Sequence, residues 1–194
     1  MQAVTVRDRD AGVGGLSLAD MPYPHAAEND VIVRVHAAGF TPGELDWPGT
    51  WADRAGRDRT PSVPGHELSG VVVELGYGTT GLTVGQRVFG LTDWTRNGSL
   101  AEYTVVEARN LAPLLADIDY TVAAALPISG LTAWQGLFDH ARARRRHARY
   151  HRHAAHRPAR GRAGHLLRRR TRPCPACGPR PAAESLLIKV GGIG

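Results

Sequence analysis

Pro64-Gly65-His66-Glu67-Leu68-Ser69-Gly70-Val71-Val72-Val73-Glu74-Leu75-Gly76-Tyr77-Gly78 is the stretch that decides the fold of this chain. From Leu68 to Leu75 the residues are apolar and β-branched, which favours a buried strand. Gly76-Tyr77-Gly78 ends it, because glycine reaches positive φ without steric cost. Upstream, Asp30-Val31-Ile32-Val33-Arg34-Val35-His36-Ala37 alternates as a half-buried strand does. Downstream, Val84-Gly85-Gln86-Arg87-Val88-Phe89-Gly90 and Leu100-Ala101-Glu102-Tyr103-Thr104-Val105-Val106 read as two more strands. Short strands with glycine-rich connections predict a mainly β domain, an antiparallel barrel or sandwich. Residues 120–125 then read as a helix with Asp119 as N-cap. Pro127 opens a second helix running through Leu131, Trp134 and Leu137.

Beyond residue 140 the composition changes abruptly. Residues 1–140 carry nine arginines, no lysine and seventeen acidic residues, a net charge of −8. Residues 141–183 carry fourteen arginines, five of the nine histidines, both cysteines and no acidic residue. The whole-chain pI near 10 therefore averages two opposites. No apolar run approaches the ~20 residues that span a bilayer. Met1-Gln2-Ala3-Val4-Thr5-Val6-Arg7-Asp8 lacks the basic-then-apolar signal pattern, so the expected location is cytoplasmic. Two cysteines make no disulfide framework.

Four segments, taken in order, resemble the N-terminal GroES-like domain of the medium-chain dehydrogenase/reductase family. They are His36-Ala37-Ala38-Gly39-Phe40-Thr41-Pro42-Gly43-Glu44, Pro64-Gly65-His66-Glu67-Leu68-Ser69-Gly70, Val84-Gly85-Gln86-Arg87-Val88 and Leu126-Pro127-Ile128-Ser129-Gly130-Leu131-Thr132-Ala133. The resemblance covers residues 1–140 and implies a GroES-like barrel over 1–125, with 126–140 as the helix leading to a Rossmann domain. Zinc members of the family bind catalytic metal through three protein ligands. Here Thr41 and Ile128 stand at the two cysteine positions, leaving His66 beside Glu67, and Gly43 stands where a proton-relaying hydroxyl would be. Residues 90–100 lack the cysteines of the structural zinc site. The resemblance thus implies the zinc-free, quinone oxidoreductase-like and enoyl-reductase-like branch. Such enzymes deliver hydride from NADPH to a quinone or an activated double bond, and the cofactor carries the chemistry.

By motif position, Thr41 and Thr132 would meet the nicotinamide. Glu44, Asp46 and Trp47 would line the substrate side, and His66 and Glu67 complete the candidate catalytic set. Each has a plainer reading. His66 and Glu67 can be a buried hydrogen-bonded pair, Glu44 and Asp46 can face solvent, and Trp47, Trp51, Trp94 and Trp134 can be packing residues.

A Rossmann domain needs a strand, a glycine turn and a helix facing the pyrophosphate. No G-x-G-x-x-G is read anywhere in the chain, and Gly191-Gly192-Ile193-Gly194 ends it without opening a helix. Shifted by one nucleotide, permitted codons for residues 143–153 can encode Leu-Ala-Gly-Asp-Thr-Leu-Val-Ile-Thr-Gly, which resembles the family's first nucleotide-binding strand. The expectation is that residues 141–194 are an out-of-frame, disordered basic tail, the Rossmann domain is missing, and the chain is truncated and inactive. Taken as genuine, the tail would bind nucleic acid through phosphates without base specificity. Its single CxxC, Cys174 to Cys177, is half a zinc site. The third reading is a GroES-like scaffold that self-associates through the uncovered face of the 126–138 helix.

Overall fold

A computed structural model describes residues 1–140 and 186–189. The expectations placed on residues 141–183, including the basic tail, its cysteines and the nucleic-acid reading, lie outside the described residues. The chain divides into two compact units. One comprises residues 1–131 with 183–194, the other residues 132–182.

The first unit is mainly β. Its strands are β1 (Gln2–Thr5), β2 (Ser17–Asp20), β3 (Asp30–Phe40), β4 (Glu67–Leu75), β5 (Arg87–Leu91), β6 (Tyr103–Glu107), β7 (Leu111–Pro113) and β8 (Leu186–Lys189). Its helices are α1 (Pro48–Trp51) and α2 (Tyr120–Ala124), and α3 (Pro127–Trp134) begins in this unit and ends in the second. β1 and β2 form a separate antiparallel ladder. The main sheet runs β6-β3-β4-β5-β7, every neighbour antiparallel, and β8 pairs with the end of β3. Among the described residues no ladder joins β6 to β7. The four strands read from the pattern are all present, and β3 runs three residues further than its alternation indicated. β1, β2 and β7 are each four residues or fewer, too short to show a period.

β3, the longest of these strands, serves two cores. Val31 and Val33 pack with Leu68, Val72, Val88 and Val106. Val35, Ala38 and Phe40 pack with Ala3, Val6, Leu45, Val63 and Leu100. The register against β4 slips between Ile32 and Val33 and again between Val35 and Ala37. Such bulges bend a strand and raise its twist, and that lets one strand's side chains reach both clusters. Gly70 makes the close β3–β4 approach possible, since a Cβ there would lie 2.1 Å from the Arg34 carbonyl oxygen.

Asp119 caps α2 by accepting a hydrogen bond from the Thr121 amide (2.7 Å), and Pro127 begins α3, both as expected. A π-helical turn over residues 135–140 follows α3. One G-x-G-x-x-G does occur in the chain, at Gly76-Tyr77-Gly78-Thr79-Thr80-Gly81. It is the turn after β4, with Gly78 and Gly81 at φ +75° and +81°, and the chain then runs on to β5. With no helix opening behind it, this turn is not the family's phosphate cradle.

Candidate active site

β3 ends at Phe40, and Thr41 begins a single tight 3₁₀ turn over Pro42–Asp46. The Glu44 carboxylate folds back on that turn. Its Oε1 accepts from the Thr41 amide (3.0 Å) and the Thr41 hydroxyl (3.4 Å). Its Oε2 accepts from the Gly65 amide (3.1 Å) at the approach to β4. Gly65 sits at φ +88°, and a Cβ there would fall 2.9 Å from both Leu100 and Ser99. One carboxylate therefore ties two motif loops together. Glu44 is fully buried (0% exposed), so its solvent-facing reading is corrected.

His66 is 2% exposed. Its Nδ1 shares a hydrogen bond with Thr92 Oγ1 (2.8 Å), and its Nε2 has no hydrogen-bond partner and lies 3.9 Å from Glu44 Oε2. Trp47 stacks on the imidazole (centroids 5.5 Å, planes 22° apart), and Trp94 lies against both rings at 5.3 and 4.9 Å. Glu67 turns the other way, as successive strand residues do. It accepts from the Ile128 amide (2.8 Å) at the start of α3, beside Gly39, where a Cβ would fall 2.6 Å from its Oε2. His66 and Glu67 are thus not a hydrogen-bonded pair. They belong to opposite faces and have different partners.

Burial pushes the Glu44 carboxyl up to about 7, against the three amide and hydroxyl contacts that favour its anion. Burial pulls the His66 imidazole down to about 4, helped by the Arg59 guanidinium. Burial also raises Glu67. The two groups facing each other at 3.9 Å are therefore a carboxylic acid and a neutral imidazole through the mildly acidic range, not an ion pair.

Thr41, Glu44, His66 and Trp47 come together, and Glu67 lies on the far side of the same strand start. Asp46 is exposed at the end of the 3₁₀ turn, its carbonyl accepting from Arg9 (3.4 Å). Thr132 is exposed on α3, in the second compact unit. Trp51 is a packing residue, donating to the Leu45 carbonyl (2.7 Å), whereas Trp94 is 45% exposed and half covers the His66 ring. Thr92 and Gly65 are site residues that the sequence reading missed. The Thr41-x-x-Glu44 spacing is a capping-box signature that could have placed Glu44 inward; nothing in sequence ties Thr92 to His66 across 26 residues. Among the described residues no group of three or more His, Cys, Asp or Glu stands close enough to hold a metal ion.

Residues 27–116 match the alcohol dehydrogenase GroES-like domain family. Over those residues the chain is similar to the N-terminal GroES-like domain of the medium-chain dehydrogenase/reductase family. The chain is 33% identical over 126 residues to the 2-methylene-furan-3-one reductase of Solanum lycopersicum, across 61% of this chain and 32% of that protein. It is 32% identical over 127 residues to the quinone oxidoreductase of Rattus norvegicus, across 65% and 37%. Among solved structures, it superposes on a mycobacterial protein complexed with NADPH with a TM-score of 0.60 and 29% identity, covering 71% of this chain and 40% of that one. The chain spans 32% to 42% of the length of the first curated relatives it matches. The matched GroES-like segment contains Thr41, Glu44, Asp46, His66 and Glu67, and Thr132 lies after it.

Proposed function

We propose that this GroES-like domain is the substrate-binding half of a zinc-independent oxidoreductase that reduces a quinone or an activated carbon–carbon double bond with NADPH. The supporting observation is its likeness, in fold and sequence, to the domain of a protein that binds NADPH, joined to a candidate site built for a planar, uncharged substrate. NADPH, when bound, supplies the hydride. Thr41 would hold its nicotinamide end, and the residues around it fit that end. Thr41 is half-buried, its hydroxyl engaged among the described residues by Glu44 alone, and a side chain at Gly43 would meet nothing within 4 Å among them.

The chain's own residues do three things. Glu44 fixes Thr41 and Gly65, so the mouth of the site is rigid. Trp47 and Trp94 offer ring faces and edges to a planar substrate and exclude water from His66. His66, neutral above pH about 4, offers an unpartnered Nε2 without adding charge. Among the described residues there is no strand, glycine turn and helix of the kind that grips a pyrophosphate. The 194-residue chain is therefore proposed to bind NADPH weakly and to lack turnover by itself.

A chimera tests the assignment: residues 1–140 joined to the nucleotide-binding half of the rat quinone oxidoreductase. It is expected to oxidise NADPH with 1,4-benzoquinone or 2-cyclohexenone. A folded chimera that binds NADPH yet reduces neither overturns the reading. Tight, saturable quenching of NADPH fluorescence by the unaltered chain would overturn its proposed inactivity.

A further inference from the structure

A cavity of about 500 Å³ opens on the first unit and shares no residue with the candidate active site. Its size is that of small-molecule sites in general, about 300–1,000 Å³. Its walls are mostly apolar: Met1, Met21 and Val63, with the tilted ring pair Tyr23 and Tyr103 (centroids 5.1 Å, 58°). Two guanidinium groups also line it, and they differ. Arg96 is neutralised, its two terminal nitrogens bound by the Asp30 carboxylate at 3.0 and 2.8 Å. Arg59 is only half exposed, and among the described residues it has no carboxylate within 4.0 Å. Its two contacts are neutral, the Gly49 carbonyl and the Asn97 side-chain oxygen (3.3 Å). A guanidinium has five N–H donors in a planar fork that matches a carboxylate, and these two contacts leave most of them unused. Asp53 and Asp93 act on Arg59 only from beyond 4.0 Å, Asp53 being bound by Arg57 and Asp93 by Arg54, so among the described residues no carboxylate bonds this half-buried guanidinium beside the ring-lined cavity.

We propose that this cavity binds a small planar carboxylic acid, its carboxylate on Arg59 and its ring between Tyr23, Tyr103 and the two methionines. Arg59 supplies selectivity for the acid over neutral analogues. The Tyr23–Tyr103 wall supplies affinity for any flat apolar body. The inference is independent of the proposed reductase activity.

The chain contains two methionines, and both line this cavity. A ¹³C-methyl-methionine spectrum of the full chain therefore reads this site alone. The probe is 2-naphthoate, with 2-naphthylmethanol as its neutral counterpart. Naphthoate is expected to shift both methyl signals saturably and to bind about tenfold more tightly than the alcohol, the difference expected for a charge-assisted contact. Arg59→Gln should remove that difference and leave alcohol binding unchanged. If Arg59→Gln does not fold, the acid-to-alcohol ratio on the wild-type chain decides, together with Tyr23→Ala, which should weaken both ligands equally. Unmoved methyl signals, or equal affinity for acid and alcohol, overturn the proposal.

Discussion

Glu44 and His66 show how burial reassigns a proton. In the unfolded chain a carboxyl titrates near 4.5 and an imidazole near 6.5; in the fold they titrate at about 7 and about 4. Between pH 4.5 and 6.5 either state carries one proton on the pair, on His66 when unfolded and on Glu44 when folded. Their contributions to the pH slope of stability therefore cancel over that range. The raised Glu44 contributes stability that is full below pH 4.5 and lost as pH rises through about 7. The lowered His66 contributes stability that is full above pH 6.5 and lost as pH falls through about 4. Each is worth on the order of 3 kcal/mol. His66→Gln should leave the Glu44 slope uncovered, so that stability relative to wild type falls with rising pH by roughly 1 kcal/mol per unit from 4.5 to 6.5. Glu44→Gln should give the opposite slope, on top of a constant loss, because an amide cannot accept from both Thr41 and Gly65 with its two ends. Urea unfolding at pH 5.0, 5.75 and 6.5 measures both. Parallel profiles for wild type and variants would refute the proton reassignment.

At the scale of elements, β3 is placed by a charge at its first residue. Asp30 is buried and bound in a two-pronged pair by Arg96 from the loop before β6, and that contact holds its carboxyl below the ordinary range. A depressed carboxyl gives stability that is present above its unfolded value, near pH 4, and lost as pH falls through the folded one. Asp30→Asn should cost about 1–3 kcal/mol at pH 7 and less at pH 2.5, read as the shift in urea midpoint at each pH. An equal loss at both values would mean the pair acts through packing alone. The strands themselves were legible because β-branched runs between glycines carry their own signal, as from Leu68 to Leu75. The short β1, β2 and β7 were not, since their pairing is fixed by neighbours and not by any internal period.

At the scale of the whole molecule, Leu126, Leu131, Trp134 and Leu137 are all exposed along and beside α3. Exposed apolar surface is unfavourable by about 25 cal/mol per Å², and a contiguous stripe of it favours self-association. The chain is expected to sediment as oligomers or to aggregate. Leu131→Glu combined with Trp134→Glu should shift it toward monomer without moving the β-sheet signal in far-UV circular dichroism. A monomeric wild-type chain at micromolar concentration would refute this. Alternation, turn glycines and caps indicated from the sequence alone a mainly β fold followed by two helices. Motif order placed Thr41, Glu44, His66 and Glu67 in it. Which of those side chains face one another was decided only by the tertiary structure. The bulges in β3 and the left-handed turn at Gly65 set the directions in which adjacent residues point, so His66 meets Glu44 and Trp47 while Glu67 reaches Ile128. Their protonation followed from that burial, because desolvation depends on what surrounds a group in space and not on its neighbours along the chain.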